Sequence, residues 1–126
     1  MMIFSAVVFG QEVSVSESRD VEVPGPMMEQ IVKRILTWNF KPRTSVKTIE
    51  LFDEGVKPEW LPAIKNVRFQ MVSQEQFESR GQARRNIYFF TTPELSDTTH
   101  SIGFGFGDPM CEAHGTTWIF QMIESR

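Results

Sequence analysis

Cysteine occurs once, tyrosine once and histidine twice in this chain of 126 residues. A single cysteine excludes an intrachain disulfide, and it does not fix the redox compartment. Thirteen Lys and Arg stand against sixteen Asp and Glu, for a net charge of −3. That balance argues against the concentrated basic surface that nucleic acid requires. The one basic cluster singled out, Arg80, Arg84 and Arg85, reads as a solvated loop. No apolar run reaches the roughly 20 residues that cross a bilayer. The pattern H-E-x-x-H, a P-loop, the pair C-x-x-C and a G-x-S-x-G elbow are all missing, so the sequence points to no cofactor.

Aromatic residues, by contrast, are plentiful. Eleven Phe and three Trp accompany an apolar content of 40% and a charged content of 23%. This is the composition of a globular chain with an aromatic core, and the length fits one domain. Three regions follow. Residues 1–10 are an uncharged apolar run that resembles the hydrophobic part and cleavage region of a signal peptide. Their alternative is an N-terminal strand in the core. Residues 11–23 form a polar, Ser-bearing leader that has room for an edge strand, and residues 24–126 form the domain proper.

The clearest element is a helix opening at Pro24-Gly25-Pro26, with Gly25 as N-cap. Met28, Ile31, Val32, Ile35 and Leu36 recur on one face of it, and Lys41-Pro42 ends it. Strands are predicted at 46–52 and 67–71, with a helical turn carrying Trp60 and Leu61 between them. Ser73 with Gln76 is a capping box, so a short helix should run to Arg80 with Gly81 as its C-cap. Residues 86–92 read as a central strand, because Ile87, Tyr88, Phe89 and Phe90 are apolar on both faces. Residues 93–99 read as a turn.

Two further strands, 101–107 and 116–124, form the last hairpin. Ile102, Phe104 and Phe106 alternate with Gly103, Gly105 and Gly107, while Trp118, Phe120 and Met122 share a face of the second strand. Setting Phe104 opposite Trp118 makes the two apolar faces coincide. Short links between late strands favour antiparallel pairing. The expected fold is therefore α+β, a curved antiparallel sheet of about five strands under one long amphipathic helix. Its layout is that of cystatin-like and nuclear-transport-factor-like folds, by analogy alone.

Candidate chemistry collects in the loop 108–115, which is longer than a tight hairpin needs. It carries Asp108, Cys111, Glu112 and His114. Cys111 and His114 offer a soft and an imidazole ligand to a metal ion, and His114 or His100 could serve as base to a thiol nucleophile. Equally, Cys111 suits the core as a small apolar residue. The bare face at Gly103 and Gly105 offers room for a ligand or a partner strand. Gly103-Phe-Gly105-Phe-Gly107 lacks the spacing of a dinucleotide loop, and Asp108 would repel a phosphate.

The reading that follows is a non-enzymatic, extracytoplasmic binding domain of bacterial type, for a protein or a small apolar ligand. A cytoplasmic place follows instead if residues 1–10 are a core strand. The alternatives are a metal- or thiol-dependent enzyme built on the loop, and a structural or homo-oligomerising module. No nucleic acid and no membrane span in the mature chain are expected.

Overall fold

The computed structural model of the protein describes residues 3–10, 19–80, 86–96, 99–109 and 114–125. The element order is β1 (Ile3–Gly10), β2 (Arg19–Asp20), α1 (Gly25–Asn39), β3 (Lys47–Phe52), a 3₁₀ turn (Pro58–Trp60), β4 (Val67–Val72), α2 (Gln74–Glu78), β5 (Ile87–Phe90), β6 (Glu94–Ser96), β7 (Thr99–Gly107) and β8 (His114–Ser125). The fold is α+β: one sheet and one main helix.

The sheet is mixed, which corrects the expectation of an antiparallel one. Its main order is β1-β8-β7-β5-β3-β4, with β6 also pairing β7 and β2 pairing β6. The eight strands exceed the expected number because β1, β2 and β6 lie in runs read as signal, leader and turn. Both neighbours of β3 run parallel to it. The reason lies in the connections. The link from β3 to β4 passes through the 3₁₀ turn, which lies against α1 on one side of the sheet. The link from β4 to β5 passes through α2, whose Phe77 packs with Phe52, Val72, Ile87 and Phe89 on the other side. Each link is long enough to carry the chain back to the end it started from, which a tight hairpin cannot do. A chain that winds right-handed must cross on opposite faces to place strands on opposite sides of β3.

Helix α1 buries Met27, Met28, Ile31, Val32, Ile35 and Leu36, so the predicted apolar stripe is its core face. Pro24, not Gly25, is the N-cap, and its carbonyl accepts from the N–H groups of Met27 and Met28 at 3.0 Å each. At the far end Asn39 Nδ2 donates to the Ile35 carbonyl at 2.8 Å, and Phe40 is already extended. Facing α1 are Leu51, Phe90, Ile102, Phe104, Trp118 and Phe120. Phe40 then closes this cluster edge-on against Phe69, Tyr88 and Phe104, with ring centroids 5.0–6.2 Å apart.

Strand β5 is central, as its two-sided apolar pattern predicts. Phe90 belongs to the cluster under α1, while Ile87 and Phe89 belong to the cluster under α2. The capping box of α2 is complete: Ser73 Oγ accepts from Gln76 N–H at 3.1 Å, and Gln76 Oε1 accepts from Ser73 N–H at 3.0 Å. The proposed C-cap Gly81, with Arg84 and Arg85, lies outside the described residues. Arg80 closes the same corner through an ion pair with Glu50 of β3.

The apolar run at the N-terminus, open in the sequence to two readings, forms β1 here. It pairs antiparallel with β8 from Ile3 opposite Ser125 to Gly10 opposite Trp118, and α1 lies against it. No helix among the described residues is long and apolar enough to cross a membrane.

Candidate functional site

The last hairpin carries the loop that the sequence singles out, and its register differs from the expected one. Trp118 lies opposite Ile102, Phe104 opposite Thr116 and Phe106 opposite His114. The slip is by two residues, so each apolar set keeps its face and the burial pattern alone does not distinguish the registers. Nor does glycine pairing, since Gly115 would face Gly107 in the expected register. In the structure Gly115 stands opposite Gly105, and a Cβ on Gly115 would come within 2.5 Å of the Phe104 carbonyl oxygen. Strand β8 begins at His114, earlier than the expected residue 116.

The candidate residues of this region do not all come together. Asp108 is half-buried just beyond β7. Cys111 and Glu112 lie outside the described residues, and of His114 the structure describes the backbone, paired with Phe106. His100, offered as a base, packs on Phe120 at the opposite end of the β7–β8 pair. Six residues of strand separate positions 100 and 106, roughly 20 Å at the strand rise. Its imidazole is thus remote from the loop. Among the described residues no group of three or more His, Cys, Asp or Glu side chains could hold a metal ion.

Nor is the glycine face empty. Gly103 N–H donates to Thr91 Oγ1 at 2.7 Å, and Thr91 N–H donates to the Gly103 carbonyl at 2.9 Å. A Cβ on Gly103 would meet Thr91 Cγ2 at 2.9 Å. The space over Gly103 is filled by this threonine, and Gly105 is buried opposite Phe89.

A cleft opens next to these glycines. It encloses about 330 Å³ and is lined by Phe52, Glu54, Gly55, Phe89, Phe90, Thr91, Thr92, Pro93 and Pro109. Its walls are the carboxyl ends of β3 and β5 and the residues that follow them. These strands are parallel neighbours, and the chain leaves β3 toward β4 on one side and returns as β5 on the other. Ligands of open α/β sheets bind at such a switch of direction, outside the carboxyl ends of the strands. Gly55 has φ of +79°, the left-handed turn that lets the chain leave β3 sharply and puts Glu54 at the rim. Pro109 brings the start of the β7–β8 loop to the same cleft, so Asp108 stands next to a lining residue.

The sequence reading missed this cleft. Its walls come from two turns, Asp53-Glu54-Gly55 and Thr91-Thr92-Pro93, that are ordinary in composition. Only the parallel pairing of the strands before them brings the two together, and that pairing leaves no local signature. Comparison of the chain with protein-family models, with curated proteins and with solved structures finds no match.

Proposed function

We propose that this chain is a small binding domain that takes a small, largely apolar ligand in the cleft at the ends of β3 and β5. The observation that carries the proposal is the cleft itself, walled by Phe52, Phe89, Phe90, Pro93 and Pro109 at the topological switch of the sheet. Aromatic and proline walls supply contact area, and a few polar groups fix orientation, as in small-molecule sites of about 300–1,000 Å³. Here Thr91, Thr92 and Glu54 are those groups. With one carboxylate on its rim, the cleft favours a ligand that ends in a hydroxyl or an amine. The reading is that of a binding domain, taken as non-enzymatic because the sequence carries no catalytic motif.

The analogy with cystatin-like and nuclear-transport-factor-like layouts is kept to one helix on one sheet. The export reading of residues 1–10, which would place the domain outside the cytoplasm, rests on their composition alone.

The test uses benzyl alcohol and phenethylamine as probes, followed by saturation-transfer NMR on the full chain. Thr92 is exposed at the cleft, so Thr92→Trp fills the space without entering the core. Both probes should bind the native protein and lose their signal in Thr92→Trp, at an unchanged unfolding midpoint. Equal signals from native and variant protein, or none from either, would overturn the proposal.

A further inference from the structure

Among the described residues β4 forms an edge of the sheet, and none of its residues lines the cleft. Strand β4 ends the strand order, and among the described residues it pairs along its length with β3 alone. The carbonyls of Asn66 and Val72 accept from Lys47 and Asp53 N–H at 2.9 and 3.0 Å. Hydrogen-bonding groups alternate between the two sides of a strand. Even-numbered residues of β4 therefore face β3, and Val67, Phe69 and Met71 turn their groups outward. Val67 N–H is taken by the Ile64 carbonyl at 3.0 Å. Among the described residues, the N–H and C=O groups of Phe69 and Met71 have no partner strand and offer a template for one.

The side chains along this edge are sorted by face. Val67, Phe69 and Met71 are half-buried, and Phe69 and Met71 pack against the cluster under α1. Arg68 and Gln70 are exposed on the other face. Lys47 pairs with Val67 and so shares the face of Val67, Phe69 and Met71, while Lys41, Arg43 and Lys65 are exposed in the segments that lead into β3 and β4. Neither 40–49 nor 61–72 contains a single Asp or Glu. One backbone and one side-chain hydrogen bond hold the two segments together: Arg43 N–H donates to the Lys65 carbonyl at 3.0 Å, and Asn66 Nδ2 donates to the Arg43 carbonyl at 2.7 Å. Asn66 itself takes φ of +61°, which turns the chain into β4. Glu50, on β3 beside this corner, is engaged by Arg80.

From this we infer that the β4 edge receives an extended segment of a partner protein in which apolar and acidic residues alternate. An added strand pairs its backbone with Phe69 and Met71. Its side chains then alternate between the faces, apolar ones beside Val67, Phe69 and Met71 and acidic ones beside Arg68 and Lys65. A second copy of this chain is disfavoured, because β4 against β4 sets the same cations against each other. Nucleic acid is disfavoured too, since it has no strand backbone to match the free peptide groups and the whole chain is acidic at −3.

The test is fluorescence anisotropy of the full chain with a dye-labelled peptide of alternating Val and Glu. The comparisons are alternating Val and Lys, the same Val and Glu residues in two blocks, and oligothymidine. Sedimentation of the protein alone reads self-association. The alternating acidic peptide should bind about tenfold more tightly than any comparison and weaken with added salt. Arg68 and Lys65 are exposed, so Arg68→Glu with Lys65→Glu should leave the unfolding midpoint unchanged and reverse the preference toward the Val and Lys peptide. Absence of binding, equal binding of the blocked or basic peptide, tighter binding of oligothymidine, or a dimer dispersed by Arg68→Glu would each overturn the inference.

Discussion

Gly115 lies against the backbone of the facing strand, where a Cβ has no room. A methyl group there would lie 2.5 Å from the Phe104 carbonyl oxygen and 2.6 Å from Gly105 Cα, both backbone atoms. Backbone in a paired strand has little room to yield, so Gly115→Ala should cost about 1–3 kcal/mol, the range of an overpacked site. The loss should be read in denaturant unfolding and in faster hydrogen exchange across β7 and β8. Gly25→Ala is the matched control. Nothing lies within 4 Å of the position where its Cβ would sit, at the first residue of α1. That change should be neutral or stabilise by about 0.4–1 kcal/mol, by restricting the unfolded chain. If the two alanines behaved alike, the close approach of the strands at Gly115 would be wrong. The same hairpin shows a limit of the sequence. Apolar alternation gave the faces of Ile102, Phe104, Trp118 and Phe120 correctly, but faces repeat every two residues and so leave a two-residue slip undetermined.

Elements were legible where periodicity and capping agreed. The stripe from Met28 to Leu36, the box from Ser73 to Gln76 and the two-sided run Ile87–Phe90 each carried its own local physics. Strand direction was not legible, because β3, β4 and β5 become parallel through links whose residues say little about where they lead. The cleft depended on that direction and stayed hidden with it. The short strand β6 escaped for a related reason, three residues being too few to show alternation, whereas β2 lies in the leader that had room for an edge strand. The contrast between α1 and α2 gives a prediction at this scale. Leu36 is fully buried in the main cluster, so Leu36→Ala should cost about 2–5 kcal/mol, transfer and cavity together. Ser73 is half-buried and holds one helix end, so Ser73→Ala should cost about 1 kcal/mol. Thermal and denaturant unfolding check both. Similar losses for the two would mean that α1 does not anchor the sheet.

The two ends of the sheet set opposite problems for the whole molecule. At one end β4 pairs, among the described residues, with β3 alone; at the other, β1 covers β8 along its whole pairing. Strand β1 also lies beside α1, the helix that covers the main cluster. Removing residues 1–10 would therefore do two things at once. It would strip β8 of its outer hydrogen bonds, and it would take away the strand that flanks α1. Trp118, which closes the main cluster and stands opposite Gly10, would lie on the new edge. The shortened chain should unfold at a lower midpoint than the full chain and expose Trp118 to acrylamide, read in a background where Trp38 and Trp60 are replaced by Phe. A new free edge on β8 should also make it self-associate, because an uncovered strand of this length is a template for pairing. The opposite result has an equally definite meaning. A shortened chain that keeps its midpoint, its shielded Trp118 and its solution mass would show that β1 adds nothing to the mature fold, and would favour the export role that its composition suggests.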